Sequence, residues 1–288
     1  MPVLGFLSPG SLEADTKRMS AARRGLAEIG YVEGRNVAIE YRGAQHQHDR
    51  LPALAADLVR RRVDLIVGVS YPGTLAAKAA TNTIPIVFAV GVDPVHRGLV
   101  ASLDRPGGNM TGTYILNTAV MRKRAQLLLE AVPTARVVGF LANPKSATTE
   151  PEADELRQAA RALGVELRLL NAADESEIDT AFATLAKERS VPLVVSTDNL
   201  FTDRPVRLAT LAARHAVPVI HAYREFAAAG GLMSYGTDLA DAYRLVGAQA
   251  GRILKGAKPD DLAVQLAVKL EMAINLKTAK ALGLNVCG

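Results

Sequence analysis

The chain has 288 residues, enough for two domains of about 100 to 150 residues each. Hydrophobic residues make up 49% and charged residues 22%, a balance that predicts a folded protein with a full core and argues against long disordered tracts. The net charge of +5 comes from Arg and Lys scattered among acids, and the sequence has no Trp and no zinc-finger or helix-turn-helix signature, so it argues against nucleic-acid binding.

Cysteine usage and hydropathy exclude further classes. The single Cys287 allows no intramolecular disulfide and no thiol metal cluster. The sequence contains no run of about 18 apolar residues, so it predicts no membrane-spanning helix. The first predicted strand begins at Pro2 or Val3, which leaves no room for a secretory leader, so we expect that a leader was removed or never existed.

Short β-rich runs alternate with longer runs of helical period, a pattern typical of parallel βαβ units. In the first half the predicted strands are Val3–Leu7, Val37–Tyr41, Leu65–Val69 and Ile86–Val90, and the predicted helices are Glu13–Ile29, Leu51–Arg61 and Thr74–Ala80.

The second half repeats this scheme. Its predicted strands are Val137–Leu141, Glu166–Leu170, Leu193–Ser196 and Val219–His221, and its predicted helices are Pro151–Leu163, Glu175–Glu188 and Arg204–His215. Two further helices, Leu239–Leu254 and Leu276–Leu282, are predicted after this repeat.

The two halves also match in register. "VLGFLSPG" near the N-terminus has a counterpart in "VVGFLANP", so that Gly5 and Gly139 occupy the same point of each first strand. Gly30 and Gly164 each follow a helix, where we expect them to take positive φ. The sequence therefore predicts two Rossmann-like parallel-sheet α/β lobes of similar build.

Three extended segments are predicted to cross between the lobes and form a hinge. They are "RPGGNMTGTY", "AAGGLMSYGTD" and "LAVQLAVKLEMAIN". The predicted division is residues 1–113 plus 237–263 for lobe 1, and 114–236 plus 264–288 for lobe 2.

Ligands of open parallel sheets bind outside the carboxyl ends of the strands, so the segments after each strand are the candidate site. We expect these loops to face one another across a cleft. In lobe 1 they are Ser8–Ser11, Ser70–Thr74 and Val90–Pro94, and in lobe 2 they are Ala142–Ala147, Thr197–Phe201 and His221–Phe226.

The "SYPGT" segment, with Ser70, Tyr71, Gly73 and Thr74, lies between a predicted strand and a predicted helix. Free backbone N–H groups and the positive helix end favour an anion there, although an ordinary capped turn explains the motif equally well. No P-loop and no GxGxxG motif is present, which argues against nucleotides.

The "TDNLF" segment offers the opposite charge. Asp198 and Asn199 can accept hydrogen bonds from an ammonium group, and the alternative role for Asp198 is a helix N-cap. Asp93 likewise has two possible roles, as a turn-forming residue or as a ligand contact. An anion site in one lobe and a cation site in the other would suit a zwitterion.

Catalytic and metal motifs are missing from the sequence. No GxSxG elbow occurs and no histidine has an acid at a diagnostic spacing, so we expect no enzyme, no cofactor and no metal. "HQHD" fits a solvated loop better than a metal site. His221, at a strand end, is the best single histidine for a pocket contact.

Several segments together resemble one family, the substrate-binding proteins of bacterial ABC importers of the tryptophan and tyrosine type. The segments are "GFLSPGS", "GLAEIGYVEGRNVAIEYR", "RLPALAADLV", "IPIVFAVGVDPVHRGLVASLDRPGGNMTG", "REFAAAGGLMSYGTDLADAYR", "ILKGAKPDDLAV" and "INLKTAKALGL". They span nearly the whole chain.

The resemblance implies a type I periplasmic binding fold that encloses a small carboxylate by closure of its lobes and delivers it to a membrane permease, outside the cytoplasm and as a monomer. By position, the "SYPGT" turn would hold a ligand carboxylate and Asp198 a ligand amino group. The resemblance further implies that other residues line the cleft, namely Ser8, Pro9, Gly10, Ser11, Asp93, Asn143 and Tyr223.

Two other functions remain open on the sequence. One is an effector-sensing module of a transcription regulator with the same fold, which would need a DNA-binding headpiece. The other is an α/β enzyme that uses the cleft between the lobes.

Overall fold

The computed structural model describes residues 1–188 and 191–285; Cys287, and with it the disulfide argument, lies outside the described residues. The strands are β1 (Val3–Ser8), β2 (Ala38–Gly43), β3 (Leu65–Val69), β4 (Ile86–Val90), β5 (Met110–Ile115), β6 (Val137–Ala142), β7 (Glu166–Asn171), β8 (Leu193–Val195), β9 (Val219–His221), β10 (Met233–Thr237), β11 (Gln265–Ala267) and β12 (Leu270–Ile274). The α-helices are α1 (Leu12–Glu28), α2 (Leu51–Arg60), α3 (Ser70–Ala80), α4 (Met121–Ala131), α5 (Thr149–Leu163), α6 (Glu175–Leu185), α7 (Asn199–Thr202), α8 (Pro205–Arg214), α9 (Arg224–Ala228), α10 (Leu239–Leu254) and α11 (Leu276–Ala281).

The chain forms two compact units. Unit 1 comprises residues 1–115 and 238–269, and unit 2 comprises residues 116–237 with the segment from Leu270 onward. Each unit contains a six-stranded sheet, in the order β2-β1-β3-β4-β5-β11 in unit 1 and β7-β6-β8-β9-β10-β12 in unit 2. The strands pair in parallel except for β12, which runs antiparallel to β10. The predicted α/β fold with two parallel-sheet lobes is confirmed.

Close helix packing distinguishes unit 1. Helices α1 and α10 approach through Gly25 and Gly247, where a Cβ on either glycine would lie 1.9 Å from a backbone oxygen of the other helix. Ser11 caps α1 by accepting the N–H of Ala14 at 3.3 Å. The two central strands of the sheet, β3 and β4, consist of apolar residues that are all buried.

In unit 2 the sheet is covered on both faces. Phe140 packs in a cluster with α4 and α5, whereas Leu141, the next residue of β6, packs in a cluster with α6 and α8. Successive side chains of a strand point to opposite faces, so β6 contributes to both halves of the core.

The glycines that matched in the sequence have matching roles. Gly30 and Gly164 adopt φ of 97° and 70°, as predicted for residues that end helices. In the first strands, a Cβ on Gly5 would lie 2.9 Å from the Leu58 side chain and one on Gly139 would lie 3.0 Å from the Leu193 side chain. In both strands the missing side chain of glycine therefore leaves room for a leucine side chain.

The sequence-based helix assignments need two corrections. Helix α3 begins at Ser70 rather than Thr74, because Pro72 lies in the first turn, where its missing N–H removes no helical hydrogen bond. Helices α4, α7 and α9 have no counterpart among the predicted helices. No helix in the described part of the chain is long and apolar enough to cross a membrane.

Candidate functional site

The strand order places a reversal at the same point of both sheets. Strands β2 and β3 lie on either side of β1, and β7 and β8 lie on either side of β6. In unit 1 the connections after the adjacent strands β1 and β3 leave in opposite directions, toward β2 and β4, and in unit 2 the same holds for β6 and β8. Such points form crevices that bind ligands in open α/β sheets. Four of the six predicted loops begin at these two points.

In unit 1 the loop after β1 packs against the start of α3. Ser8 is fully buried and its Oγ accepts the N–H of Gly10 at 3.0 Å, which folds the chain back after β1. A Cβ on Gly73 would lie 3.0 Å from the Leu7 carbonyl oxygen and 3.6 Å from Pro9 Cδ. Glycine at position 73 therefore brings the first turn of α3 against the segment from Leu7 to Gly10.

Ser70 has a strained backbone. It joins β3 to α3 with no intervening loop and adopts a φ of 50°, a value that non-glycine residues rarely take. Such strain persists only where the surroundings impose it, and it is concentrated at functional sites. The first amides of α3 have no acceptor within the helix, so this turn can donate to an anion.

The hydroxyl of Thr74 is committed to the protein. Thr74 is fully buried, and its Oγ1 lies 2.7 Å from the Ser70 carbonyl oxygen and 3.1 Å from that of Gly68. The Ser70 hydroxyl likewise donates to the Val69 carbonyl oxygen at 2.8 Å. Both side chains brace the turn, so the backbone amides are its available donors.

The loop after β4 is held to α3. Asp93 is exposed and its Oδ1 accepts the N–H groups of Val95 and His96 at 2.9 and 3.0 Å, the geometry of a turn-former. The Arg97 guanidinium carbon lies 5.8 Å from the centre of the Tyr71 ring. Burial raises the pKa of Tyr114, and the negative charge of Asp93 adds to this effect. Tyr114 thus lies near this loop, although the sequence did not identify it.

In unit 2 the loops after β6 and β8 meet directly. Asn143 Nδ2 donates to Asp198 Oδ1 at 3.1 Å, and both side chains are 8% exposed. Asp198 is also the N-cap of α7, because its Oδ1 accepts the N–H of Leu200 at 3.0 Å. These bonds occupy Oδ1, and no hydrogen bond of the described residues engages Oδ2. Asn199, the first residue of α7, is half-buried.

Glu152 holds the loop after β8 in place through hydrogen bonds to Thr197. It is fully buried on α5, where it accepts the hydroxyl of Thr197 and, at 3.3 Å, the Thr197 N–H. Burial raises the pKa of the Glu152 carboxyl, against the opposing effects of the Thr197 hydrogen bond and the charge of Arg124. The residue before Asp198 is thereby fixed.

His221 and Tyr223 follow β9. His221 Nδ1 accepts the N–H of Tyr223 at 3.2 Å, and burial lowers the pKa of His221 to about 3, with a further contribution from the charge of Arg124. The Tyr223 hydroxyl accepts from Asn117 Nδ2 at 2.9 Å. Phe226 is fully buried in the core.

Two residues of this edge were missed in the sequence. Arg124, on α4, is fully buried and donates from Nε to the Tyr235 carbonyl oxygen at 2.7 Å. Burial lowers the pKa of its guanidinium, and the charge of Glu152 opposes that shift. Asn117 lies before α4 and is 3% exposed. The sequence carries one signal for Arg124. Met121, Ala125 and Leu128 form an apolar stripe along α4, and Arg124 falls at the edge of that stripe.

Other features do not add to the site. The described residues contain no group of three or more His, Cys, Asp or Glu side chains placed to hold a metal ion. A cavity of about 390 Å³ lies beside α11, lined by Leu276, Lys280 and Leu284 among others. Helix α11 follows Asn275, whose N–H donates to Leu232 at the amino end of β10, so this cavity is remote from the carboxyl edge.

Comparison with known proteins places the chain among transport proteins. Residues 3–287 match the family described as ABC transporter substrate binding protein. A "Tyrosine-binding protein" from Clostridioides difficile is 30% identical over 263 residues, which cover 90% of this chain and 74% of that protein.

Solved structures agree in fold. A conserved domain protein from Vibrio cholerae superposes with a TM-score of 0.91 at 28% identity, over 99% of this chain and 96% of that one. A Streptococcus pneumoniae ABC domain, solved in complex with L-Trp, superposes with a TM-score of 0.90 at 24% identity, with the same coverage of 99% and 96%. The second likeness supports the fold alone.

Proposed function

The chain belongs to the family of ABC transporter substrate-binding proteins, and from that premise we propose that it captures a small carboxylate, an amino acid or aromatic acid, for an ABC importer. The family consists of substrate-binding proteins rather than enzymes, so the expectation of a non-enzyme is confirmed. The kind of ligand and the way it is held are our proposal.

The observation that carries the proposal is the hydrogen bonding of the Asp198 carboxylate. Its Oδ1 is fixed by Asn143 and by the N–H of Leu200, while Oδ2 is engaged by no hydrogen bond of the described residues. A carboxylate held in this way is pre-organised to accept from an ammonium group, and charge-assisted hydrogen bonds of this kind are among the stronger ones.

The first turn of α3 supplies the complementary group. We propose that the amides of Ser70 and Tyr71 hold the ligand carboxylate, since they precede the first intrahelical hydrogen bond of α3, while Gly73 lines the site by bringing the turn close to the loop after β1. The helix dipole would contribute roughly 0.3 to 1 kcal/mol to such a contact. Thr74 would act by holding the turn rather than by touching the ligand.

The remaining proposed contacts surround these two anchors. We assign them a lining role that gives shape to the site: Ser8, Pro9, Gly10, Ser11, Asp93, Asn143, Asn199, His221 and Tyr223. In the proposed cycle the two units close over the ligand, and an ABC permease accepts the closed complex. We further propose that the protein works as a monomer outside the cytoplasm.

L-Tyrosine is the first ligand to test, because a relative is a tyrosine-binding protein. Calorimetric titration should detect binding to the wild type and at least about a 30-fold loss in Asp198→Asn, which removes the charge but preserves an N-cap residue. Asp174→Asn, at the exposed N-cap of α6, is the matched control and should bind normally. Equal affinity of wild type and Asp198→Asn would refute the role of Asp198, and failure to bind any amino acid or aromatic acid would refute the proposal.

A further inference from the structure

Unit 2 contains a cluster of four buried polar side chains that the two ligand anchors do not use. We call it the polar cluster; its members are Asn117, Arg124, His221 and Tyr223, which are 3%, 0%, 2% and 6% exposed. Asn117 Oδ1, Arg124 Nη2 and His221 Nε2 are buried and have no hydrogen-bond partner. Buried polar groups nearly always have partners, so three such atoms in one cluster need an explanation.

Tyr223 connects the cluster. Its hydroxyl accepts from Asn117 Nδ2, and its backbone N–H donates to His221 Nδ1. A Cβ on Gly236 would lie 2.5 Å from the carbonyl oxygen of Ala222 and 2.9 Å from Arg124 Nη2, so the guanidinium lies beside the residue that joins His221 to Tyr223. All four residues lie in unit 2, at the end of the sheet that carries Asn143 and Asp198.

The hydrogen bonds determine what each unpartnered atom can do. The Asn117 amide donates through Nδ2, so its Oδ1 is an acceptor. His221 accepts through Nδ1, so the proton of the neutral ring resides on Nε2, which is a donor. Arg124 Nη2 is also a donor. The cluster therefore offers two donors and one acceptor.

The backbone keeps Arg124 in place. Nε donates to the Tyr235 carbonyl oxygen and Nη1 lies 2.9 Å from the sulfur of Met121. A Cβ at Gly236 would lie 2.9 Å from Arg124 Nη2, so glycine at this position leaves room for the guanidinium. Nη2 is thus the part of Arg124 that these contacts leave available.

We infer that Asn117, Arg124 and His221 recognise a hydroxyl group on the side chain of the bound amino acid. The inference rests on the proposed function and names its ligand more closely. A hydroxyl accepts from N–H donors and gives its own proton to an acceptor, so it matches both kinds of atom. A carboxylate would leave Asn117 Oδ1 without a donor, an ammonium group would face the charge of Arg124, and an apolar group would leave all three atoms unpartnered.

The test compares L-tyrosine with L-phenylalanine, which differ by one hydroxyl. Isothermal titration of the wild type should give about a 100-fold preference for L-tyrosine, because sites built to hydrogen-bond a hydroxyl strongly reject the analogue without it. Asn117→Leu should reduce this preference to a few-fold by weakening tyrosine binding, with phenylalanine affinity nearly unchanged. Asn171→Leu, at an exposed amide at the end of β7, is the matched control and should retain the preference.

The preference for the hydroxyl, rather than affinity alone, separates recognition from a structural role. Equal binding of the two amino acids by the wild type, or an unchanged preference in Asn117→Leu, would overturn the inference and leave the proposed function standing. If neither amino acid binds, the inference fails, and the proposed function fails with it only if no other amino acid or aromatic acid binds. Asn117→Ala serves if the leucine variant does not fold, and the wild-type preference is itself decisive without any variant.

Discussion

The carboxyl edges of the two sheets are built alike in the backbone and differently in their side chains. In unit 1 the hydroxyls of Ser70 and Thr74 donate to backbone carbonyl oxygens, which leaves backbone amides as the donors of the turn. In unit 2 the edge is built from buried side chains, including Asn143, Asp198 and Arg124. The same topology therefore produces one edge whose donors are backbone amides and another whose polar groups belong to side chains, and we propose that these hold the carboxylate and the ammonium group of the ligand.

The largest effect should come from alanine at two glycines in corresponding strands, Gly112 in β5 and Gly236 in β10. A Cβ at Gly112 would lie 2.3 Å from the Phe88 carbonyl oxygen, and one at Gly236 would lie 2.5 Å from that of Ala222 and 2.9 Å from Arg124 Nη2. We expect each alanine variant to lower the free energy of unfolding by about 3 kcal/mol in chemical denaturation. Only Gly236→Ala should also weaken ligand binding, because only it displaces Arg124.

Gly164→Ala is the control for these variants, since Gly164 has positive φ but no neighbour within 4 Å of the position of a Cβ. It should cost only about 1 kcal/mol. If Gly112→Ala and Gly236→Ala weaken ligand binding equally, the contrast between the two edges is wrong.

A pH-dependent effect should follow from His221. Its pKa is about 3 in the folded protein against an ordinary value of 6.5, so as the pH falls the unfolded chain takes up a proton that the folded protein does not. The wild type should therefore lose stability relative to His221→Gln by about 1.4 kcal/mol per pH unit below 6.5. Urea unfolding at pH 7.5 and pH 4.5 should show the difference shrink by about 3 kcal/mol, and a constant difference would mean that His221 is not buried as described.

The smallest effect concerns the strained turn of unit 1. Because Ser70 has a φ of 50°, Ser70→Gly should raise the free energy of unfolding by up to about 1 kcal/mol relative to Ser70→Ala, which lacks the hydroxyl but retains the strain. Ser70→Val should be the least stable of the three, since β-branched residues tolerate positive φ poorly. Equal melting temperatures for the three variants would show that the turn is unstrained.

Much of the fold followed from the sequence, and so did part of the site. The alternation of strands and helices was clear enough to predict the first four strands of each sheet, and Gly30 and Gly164 showed by their positions that they end helices. Asp198 was predicted as either a ligand contact or an N-cap. In the structure Asp198 caps α7 through Oδ1, while a ligand contact through Oδ2 stays a prediction.

Arg124 shows why the rest could not be predicted. Three basic residues lie in the first turn of α4, and although Arg124 falls at the edge of the apolar stripe, that position alone does not show that its guanidinium is fully buried. The burial of Arg124 depends on the carbonyl of Tyr235 and the missing side chain of Gly236, more than a hundred residues away in the chain. Contacts of that range are set by sheet register, which periodicity does not reveal.

The central claim is that one edge holds the carboxylate of an amino acid and the other holds its ammonium group. The direct test is calorimetric titration of the wild type with L-tyrosine, with tyramine, which lacks the carboxylate, and with 3-(4-hydroxyphenyl)propionate, which lacks the amine. We predict that removing either charged group lowers affinity at least about 100-fold, because each leaves one edge without its partner. Binding of either analogue as tightly as L-tyrosine would contradict the account.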